Sequence, residues 1–278
     1  MKTVCLQDKC TGCMACADIC QHGAVTIEDS ITAYNAVIDP TKCIACKACE
    51  RVCQINYPLV KKEPILWQQG WAANLEIRKK SSSGGAAAVF EREFVRAGGY
   101  VCSCVFSEGC FIYRMCHRED EVQQFAGSKY VKSNPSGIYP QVKEKLKQGK
   151  KVLFVGLSCH VAAVKNFVGS KLFEHLYTID LICHGTPSLK ILTLFLKQHN
   201  TDIADVGDIC FRNSNIYYLQ CDQKPVAVKN CLDKYSMGFM YSLFHTENCY
   251  ECHYADTQRI SDITIGDSWG SKLSEDDI

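Results

Sequence analysis

Two stretches of the chain repeat one cysteine pattern: CTGCMACADIC runs from Cys10 to Cys20, and CIACKACERVC runs from Cys43 to Cys53. In both stretches the cysteines are spaced C-x2-C-x2-C-x3-C. Between them, AVTIED and NAVIDP alternate apolar and polar residues, which is typical of the two strands of a β-hairpin. The repeat therefore predicts a compact, pseudo-symmetric module over residues 1–57.

The spacing of these cysteines indicates what they bind. It is the run found in bacterial two-cluster ferredoxins, in which the fourth cysteine of each run ligates the other cluster. We expect two 4Fe–4S clusters, held by Cys10, Cys13, Cys16 and Cys53 and by Cys43, Cys46, Cys49 and Cys20. Two zinc sites are the alternative, and they fit less well because zinc ligands commonly occur as two separated pairs. Gln21 and Gln54 replace the proline that usually follows the fourth cysteine, but that proline ligates nothing.

Composition supports a metal-binding role for the cysteines. The chain has 20 cysteines in 278 residues and a formal net charge of +1. Disulfide frameworks belong to oxidising compartments, and the N-terminus lacks the apolar run of a secretory signal. We therefore expect a cytoplasmic protein from an organism that lives with little oxygen. The balanced charge does not favour nucleic acid as a partner, and no stretch reaches the roughly 18 apolar residues of a membrane span.

Beyond a linker at residues 58–68, the sequence alternates between apolar strand-like and helical segments. KVLFVGL is followed by the helical HVAAVKNFV, and HLYTIDLICHG precedes another helical segment. Strand–helix–strand order predicts a largely parallel sheet with crossover helices, and Asp208 to Lys229 alternates like antiparallel strands. The predicted fold class is α+β or α/β: a small bacterial-type ferredoxin module, then a larger α/β domain with a mixed sheet over residues 69–278.

Four cysteines of the large domain stand out. Cys159 and Cys183 follow predicted strands, and Cys249 and Cys252 form a C-x2-C pair. Because ligands gather at the carboxyl ends of parallel strands, these four thiols could converge on a third cluster. The alternative is that they are small apolar core residues, and the spacing leaves both possibilities open. Cys5 has no evident partner.

Two segments rich in glycine and serine precede predicted helices: SSSGGAAAVF and GSKYVKSNPSG. The free N–H groups at a helix start can bind phosphate, and Lys129 or Lys132 could neutralise a pyrophosphate. A plain helix cap and ordinary surface lysines are the alternatives. His160 and His184 each directly follow a candidate ligand cysteine. Three roles remain open for them: donor to a bound group, polar core residue or solvent-facing residue.

Taken together, these segments resemble a known family. FAGSKYVKS, VLFVGLSCHVAAVK, IDLICHGTPS and CYECHYADTQRISDITIGDSWG, in this order after the ferredoxin repeat, are similar to the coenzyme F420 hydrogenase/dehydrogenase beta-subunit family. The resemblance covers nearly the whole chain. It implies an iron–sulfur flavoprotein with FAD and a 4Fe–4S cluster in its large domain; some members reduce or oxidise the deazaflavin coenzyme.

The resemblance also assigns residues. It implies that FAD is bound by residues of the two glycine-containing segments: Ser83, Gly84, Gly85, Gly127, Ser128, Lys129 and Tyr130. It implies that Cys159, Cys183, Cys249 and Cys252 hold the third cluster. GLSCH replaces the family's usual Gly-Thr-Pro-Cys-Gln, and the chain ends nine residues after Trp269, where many relatives continue. The early end of the chain after Trp269 predicts a large domain truncated at its C-terminus.

The expected function is an FAD- and iron–sulfur-dependent oxidoreductase of unknown substrate. It would pass electrons between ferredoxin-type clusters and an FAD-linked two-electron acceptor or donor, because the flavin carries hydride chemistry that the protein only positions. Its partner would be a redox protein or a small-molecule electron carrier. The alternatives are a pure electron-transfer protein and a redox accessory protein of polysaccharide biosynthesis.

Overall fold

The computed structural model describes residues 2–213 and 216–268. Its N-terminal module consists of two short helices and one hairpin: α1 (Ala15–Asp18), β1 (Val25–Asp29), β2 (Tyr34–Ile38) and α2 (Ala48–Val52). Both helices start after a residue in the left-handed conformation, Met14 at φ 60° and Lys47 at φ 59°. The two cysteine runs therefore share this backbone turn, as their repeated sequence predicts.

The rest of the described chain alternates helices and strands. In chain order these are α3 (Leu75–Lys80), α4 (Ala86–Arg96), β3 (Tyr100–Ser107), β4 (Cys110–Cys116), α5 (Ile138–Lys147), β5 (Val152–Leu157), α6 (Ser158–Val168), β6 (Leu176–Leu181), α7 (Leu189–Gln198), β7 (Ile209–Asn213), β8 (Ile216–Cys221), β9 (Lys224–Pro225), α8 (Lys234–Met240), α9 (Glu247–Tyr250) and β10 (Ile263–Ile265).

A five-stranded sheet forms the centre of the large domain, in the order β10–β6–β5–β3–β4. Neighbours among β10, β6, β5 and β3 run parallel, and β4 pairs antiparallel with β3. Residues 152–156 of β5 are all buried, as expected for a strand covered on both faces of a parallel sheet. Strands β7, β8 and β9 form a separate antiparallel sheet. The predicted mixed-sheet α/β domain is confirmed.

The N-terminal module packs directly against the large domain. The carboxylate of Asp18 accepts hydrogen bonds from the Gly137 N–H at 2.8 and 2.9 Å, at the start of α5. The hydroxyl of Tyr139 donates to the carbonyl of Cys13 at 2.7 Å. Buried residues of both parts belong to one continuous apolar core. The first cysteine run is therefore held against α5 and α6.

The segment predicted as a linker also has defined partners. Lys62 and Arg259 exchange two backbone hydrogen bonds of 2.8 Å, and Lys61 Nζ lies 2.5 Å from the Asp256 carboxylate. These contacts tie residues near position 60 to the loop that follows Cys252. The chain between the module and the sheet is thus anchored at both of these points.

All twenty cysteines of the chain are free thiols. Within the residues that the structure describes, no helix combines the length and the apolar character that crossing a membrane requires.

Candidate metal centres and their surroundings

Two cavities in the N-terminal module are lined by the cysteines of the repeat. One is bordered by Cys10, Cys13, Cys16 and Cys53. The other is bordered by Cys20, Cys43, Cys46 and Cys49. We call them the first and the second cavity. Each is lined by three cysteines of one run and the fourth cysteine of the other, which are the two sets expected from the spacing.

The local chemistry of both cavities fits iron–sulfur clusters. Backbone N–H groups point at the sulfurs: Gly12 donates to Cys10 and Ala45 to Cys43, both at 3.4 Å. Such hydrogen bonds stabilise thiolate ligands and influence the reduction potential of a cluster. In the described part of the chain, no three His, Cys, Asp or Glu side chains converge closely enough to hold a single metal ion. Cysteines arranged around a cavity suit a multi-atom cluster better than one zinc ion.

The two cavities differ in burial although their sequences repeat. The four cysteines that border the first cavity are buried, whereas Cys46 at the second is exposed and its companions are half-buried. Burial raises the pKa of the Cys13 thiol to about 12. Four thiolates in such a place need compensating positive charge, which iron would supply. The large domain covers the first cavity and leaves the second near solvent.

Cys5, which has no evident partner in the sequence, lies at the first cavity as a fifth cysteine. Hydrogen bonding to Cys10 and Cys53 and burial raise its pKa. The same hydrogen bond from Cys5 lowers the pKa of Cys53 to about 6, against the opposing effect of burial. Cys5 therefore lies within hydrogen-bonding reach of two candidate ligands.

The structure brings the four selected cysteines of the large domain together. Cys159 lies in the first turn of α6, and Cys183 follows β6. Burial raises the pKa of Cys159, and the nearby thiols of Cys183, Cys13 and Cys252 act in the same direction. Cys183, which is exposed, lies within electrostatic range of Cys249 and Cys252. We call these four residues the large-domain cysteine group; its nearness to Cys13 places it next to the first cavity.

The surroundings of Cys249 contain unsatisfied and convergent polar groups. Its sulfur lies 3.5 Å from Thr246 Oγ1 and 3.6 Å from both Thr186 Oγ1 and Asn248 Nδ2. Burial raises its pKa, but Lys132 and these hydrogen bonds lower it on balance. The neighbouring His245 is buried, and its Nε2 has no hydrogen-bond partner among the described residues. An anionic sulfur fits this site, because Asn248 Nδ2 donates to it and both threonine hydroxyls lie within hydrogen-bonding distance.

A buried charge network supports the same region. Asp180, in β6, is 0% exposed and lies 2.7 Å from Nη2 of Arg259. Ser158 Oγ, at the start of α6, donates to the same carboxylate at 2.7 Å. Arg259 also donates to the carbonyl of Tyr254 at 2.9 Å. The network therefore ties the loop after Cys252 to the carboxyl ends of β5 and β6.

The two histidines have different surroundings. His160 is buried, and its Nδ1 lies 2.9 Å from the Tyr113 hydroxyl. Burial lowers its pKa to about 3, so it is a neutral polar core residue. His184 is exposed, and its Nε2 lies 3.1 Å from the Met240 carbonyl and from Ser242 Oγ.

The two segments assigned to flavin binding meet in space. The N–H of Ser128 donates to Ser82 Oγ at 2.7 Å, so the glycines of both segments lie near one another. Gly85 is the N-cap of α4 with φ 83° and no side-chain cap, which leaves N–H groups of the first turn uncapped by the chain. Lys129 donates to the carbonyls of Phe125 and Ala126 at 2.7 and 3.0 Å. Tyr130 stacks on Phe239 at 4.6 Å.

Two buried residues at the first cavity have a place that the sequence does not predict. Lys132, considered from the sequence only as a phosphate-binding or surface lysine, donates from Nζ to the carbonyl of Thr11 at 3.2 Å. Gln54 is 1% exposed and donates to Thr11 Oγ1 at 2.9 Å. The sequence signal for Gln54 is that it replaces the proline that usually follows the fourth cysteine of the run. Trp269, by contrast, lies outside the described residues.

Comparisons with known proteins agree with this geometry. Residues 9–56 match the family described as 4Fe-4S dicluster domain. Residues 149–277 match the family described as the C terminus of the beta subunit of coenzyme F420 hydrogenase/dehydrogenase. No curated protein matches the chain in sequence.

Among solved structures, the chain is similar to one from the F420-reducing [NiFe] hydrogenase complex of Methanosarcina barkeri. The two are 16% identical with a TM-score of 0.44, and the match covers 55% of this chain and 56% of the other. The chain thus spans little more than half of that relative's length. By its two family matches, the chain is similar to a 4Fe–4S dicluster domain in its N-terminal part and to the C terminus of the coenzyme F420 hydrogenase/dehydrogenase beta subunit in its C-terminal part.

Proposed function

We propose that this protein is an iron–sulfur flavoprotein oxidoreductase that passes single electrons inward from its surface to a bound FAD. The observation that carries the proposal is the order of three cysteine groups in space. The second cavity lies near solvent, the first cavity is buried, and the large-domain cysteine group lies beside the first, with Cys159 near Cys13. In this proposal residues 1–57 are the entry module, residues 58–68 the linker and residues 69–278 the flavin-binding domain.

Electrons would enter at the second cavity. Cys46 is exposed there, and the neighbouring Ile44 is 63% exposed. A one-electron partner, either a redox protein or a small carrier, can approach this surface without displacing the large domain. The first cavity offers no such access, because all four of its candidate ligands are buried.

A third cluster would be held by Cys159, Cys183, Cys249 and Cys252. The three polar groups around the Cys249 sulfur, of which Asn248 Nδ2 is a donor, and the Nε2 of His245, unpartnered among the described residues, suit a bound anionic cluster better than a plain apolar core. A buried polar atom without a partner is costly, and a sulfide or thiolate of the cluster could accept from it. The Asp180–Arg259 network would keep the Cys252 loop in place.

FAD, when bound, supplies the exchange between one-electron and two-electron chemistry. The chain would bind it where the Ser82–Gly85 and Gly127–Tyr130 segments meet. The uncapped N–H groups at the start of α4 would receive the pyrophosphate. Lys129 contributes by holding the Phe125 and Ala126 carbonyls, and Tyr130 by stacking in the aromatic cluster, so both would support the loop from behind.

Anaerobic reconstitution followed by iron, sulfide and flavin analysis tests the proposal. Four irons at each of three sites give about 12 irons per chain, with one FAD. About eight irons with bound FAD would remove the third cluster. About twelve irons without flavin would leave a pure electron-transfer protein, and this outcome would contradict the proposed enzyme. If the protein binds both the clusters and FAD, reduction of the deazaflavin coenzyme by the loaded protein would identify one substrate.

A further inference from the structure

Lys132 is a buried lysine at the boundary between the N-terminal module and the large domain. It is 6% exposed. Its backbone N–H donates to the Pro187 carbonyl at 2.9 Å, in the segment that follows Cys183. Its Nζ lies 3.2 Å from the Thr11 carbonyl and 5.1 Å from the centre of the Tyr34 ring. Lys132 therefore lies between the segment that follows Cys183 and the loop between Cys10 and Cys13.

The ammonium of Lys132 has no carboxylate partner in the part of the chain that the structure describes. Within the described residues it forms no ion pair with an Asp or Glu side chain, and its hydrogen bond goes to a neutral carbonyl. Burial of an unpaired charge is expensive unless other groups compensate it. The anionic candidates around it are thiols: its charge acts on Cys10 on one side and on Cys159, Cys183 and Cys249 on the other.

The cysteine loop leaves room for this lysine. Gly12 has φ 69°, and a Cβ there would lie 3.1 Å from Lys132 Cδ and 3.0 Å from Tyr34 Cδ1. The corresponding residue of the second run, Ala45, has nearly the same φ of 58° and is exposed. A side chain is thus tolerated at the second cavity, where the loop is exposed. Glycine at position 12 permits the close approach of Lys132 to the first.

We propose that Lys132 is a buried counter-cation shared by the cluster of the first cavity and the cluster of the large-domain cysteine group. This role rests on the proposed function, because it needs anionic clusters on both sides. An added electron makes each cluster more negative, so the fixed positive charge stabilises both reduced states. Lys132 is a positioning residue in this role: it favours the movement of one electron from the second cavity inward, and no proton moves with that electron.

The test compares Lys132→Met with Lys132→Arg in the reconstituted full chain. Each cluster's midpoint potential is measured by a redox titration followed with electron paramagnetic resonance. A unit charge acting over about 10 Å at an effective dielectric constant of about 20 changes an equilibrium roughly tenfold, which is about 59 mV for a one-electron couple. Lys132→Met should lower the potentials of the first-cavity and large-domain clusters by about this much and leave the second-cavity cluster unchanged.

Lys224→Met is the control. Lys224 is exposed and lies in β9 of the separate antiparallel sheet, outside the three cysteine groups. Solvent screens its charge, so its loss should shift no potential appreciably. Lys132→Arg, which keeps the charge, should retain all potentials.

Unchanged potentials in a fully loaded Lys132→Met protein would overturn the proposal, as would an equal shift of every cluster. Loss of iron in Lys132→Met with full iron in Lys132→Arg would support it, whereas loss in both would show that side-chain shape matters and not charge. Iron content of the unsubstituted protein reports separately on the third cluster. About eight irons per chain would defeat the third cluster of the proposed function. The shift in midpoint potential of the first-cavity cluster would still decide the role of Lys132.

Discussion

The hydroxyl of Tyr254 donates a hydrogen bond to Oε1 of Gln54 at 2.5 Å. Through its Nε2, Gln54 donates to Thr11 Oγ1 at 2.9 Å. Gln54 follows Cys53, Thr11 follows Cys10, and Tyr254 lies two residues after Cys252. One buried amide therefore links the loops that carry candidate ligands of two different clusters, a role that proline at this position could not perform.

Gln54→Ala should destabilise the protein. The substitution leaves the buried hydroxyls of Tyr254 and Thr11 without their partner, and an unsatisfied buried group costs about 1–3 kcal/mol. Anaerobic urea unfolding of the reconstituted protein measures the free energy of unfolding. Gln21→Ala is the matched control from the first run, because Gln21 is exposed. An equal effect of both substitutions would show that the link contributes nothing.

Cys249→Ser should remove one cluster and leave the other two. Serine is a poor ligand for iron in place of a thiolate, so iron content should fall from about 12 to about eight per chain. Cys231→Ser is the control, since Cys231 is an exposed thiol outside the large-domain cysteine group. Unchanged iron in Cys249→Ser would remove this cysteine from the candidate ligands.

Arg259→Met should lower stability strongly. The change leaves Asp180, which is 0% exposed, as a buried carboxylate without its cation. Breaking a buried pair by removing one partner costs about 3–5 kcal/mol. Arg96→Met is the control, because the Arg96 contacts with Glu93 and Glu119 lie at the surface and surface pairs contribute little. Thermal unfolding of both variants would distinguish them, and similar melting temperatures would contradict the expectation.

Glu91 should make stability depend on pH. Burial raises the pKa of Glu91 to about 7, although Lys129 and a hydrogen bond from Ser103 oppose this. The unfolded side chain titrates near about 4.3, so between that pH and about 7 the folded state holds a proton that the unfolded state has lost. Stability from this group is therefore present at low pH and falls as pH rises, by up to about 4 kcal/mol.

Glu91→Gln should remove this slope. The amide stays neutral at every pH, so the variant should gain stability relative to the unsubstituted protein at pH 8 and lose that advantage at pH 4. Denaturant unfolding at a series of pH values measures the difference. Glu93→Gln, an exposed neighbour on α4, should leave the curve unchanged. A Glu91→Gln curve that runs parallel to the original would refute the assignment.

Local pattern accounts for much of the fold. The apolar runs from Val152 and Leu176 are strands β5 and β6, and the periodic segment after Ser158 is helix α6, as predicted. The position of Cys159 and Cys183 after strand ends also follows from local sequence, because parallel strands end at one edge of a sheet. The nearness of Cys249 and Cys252 to them does not, since no sequence signal states where a distant loop returns.

Residue spacing alone was enough to predict the two ferredoxin-type cysteine sets, because C-x2-C-x2-C-x3-C controls which thiols a tight turn and a following helix present. It could not distinguish the two sets, since their repeats are nearly equivalent. Packing of the large domain makes them different: the first set is buried under α5 and α6, while the second lies near solvent. Burial and the place of a buried charge such as Lys132 depend on which distant segments pack together, and no local pattern contains that information.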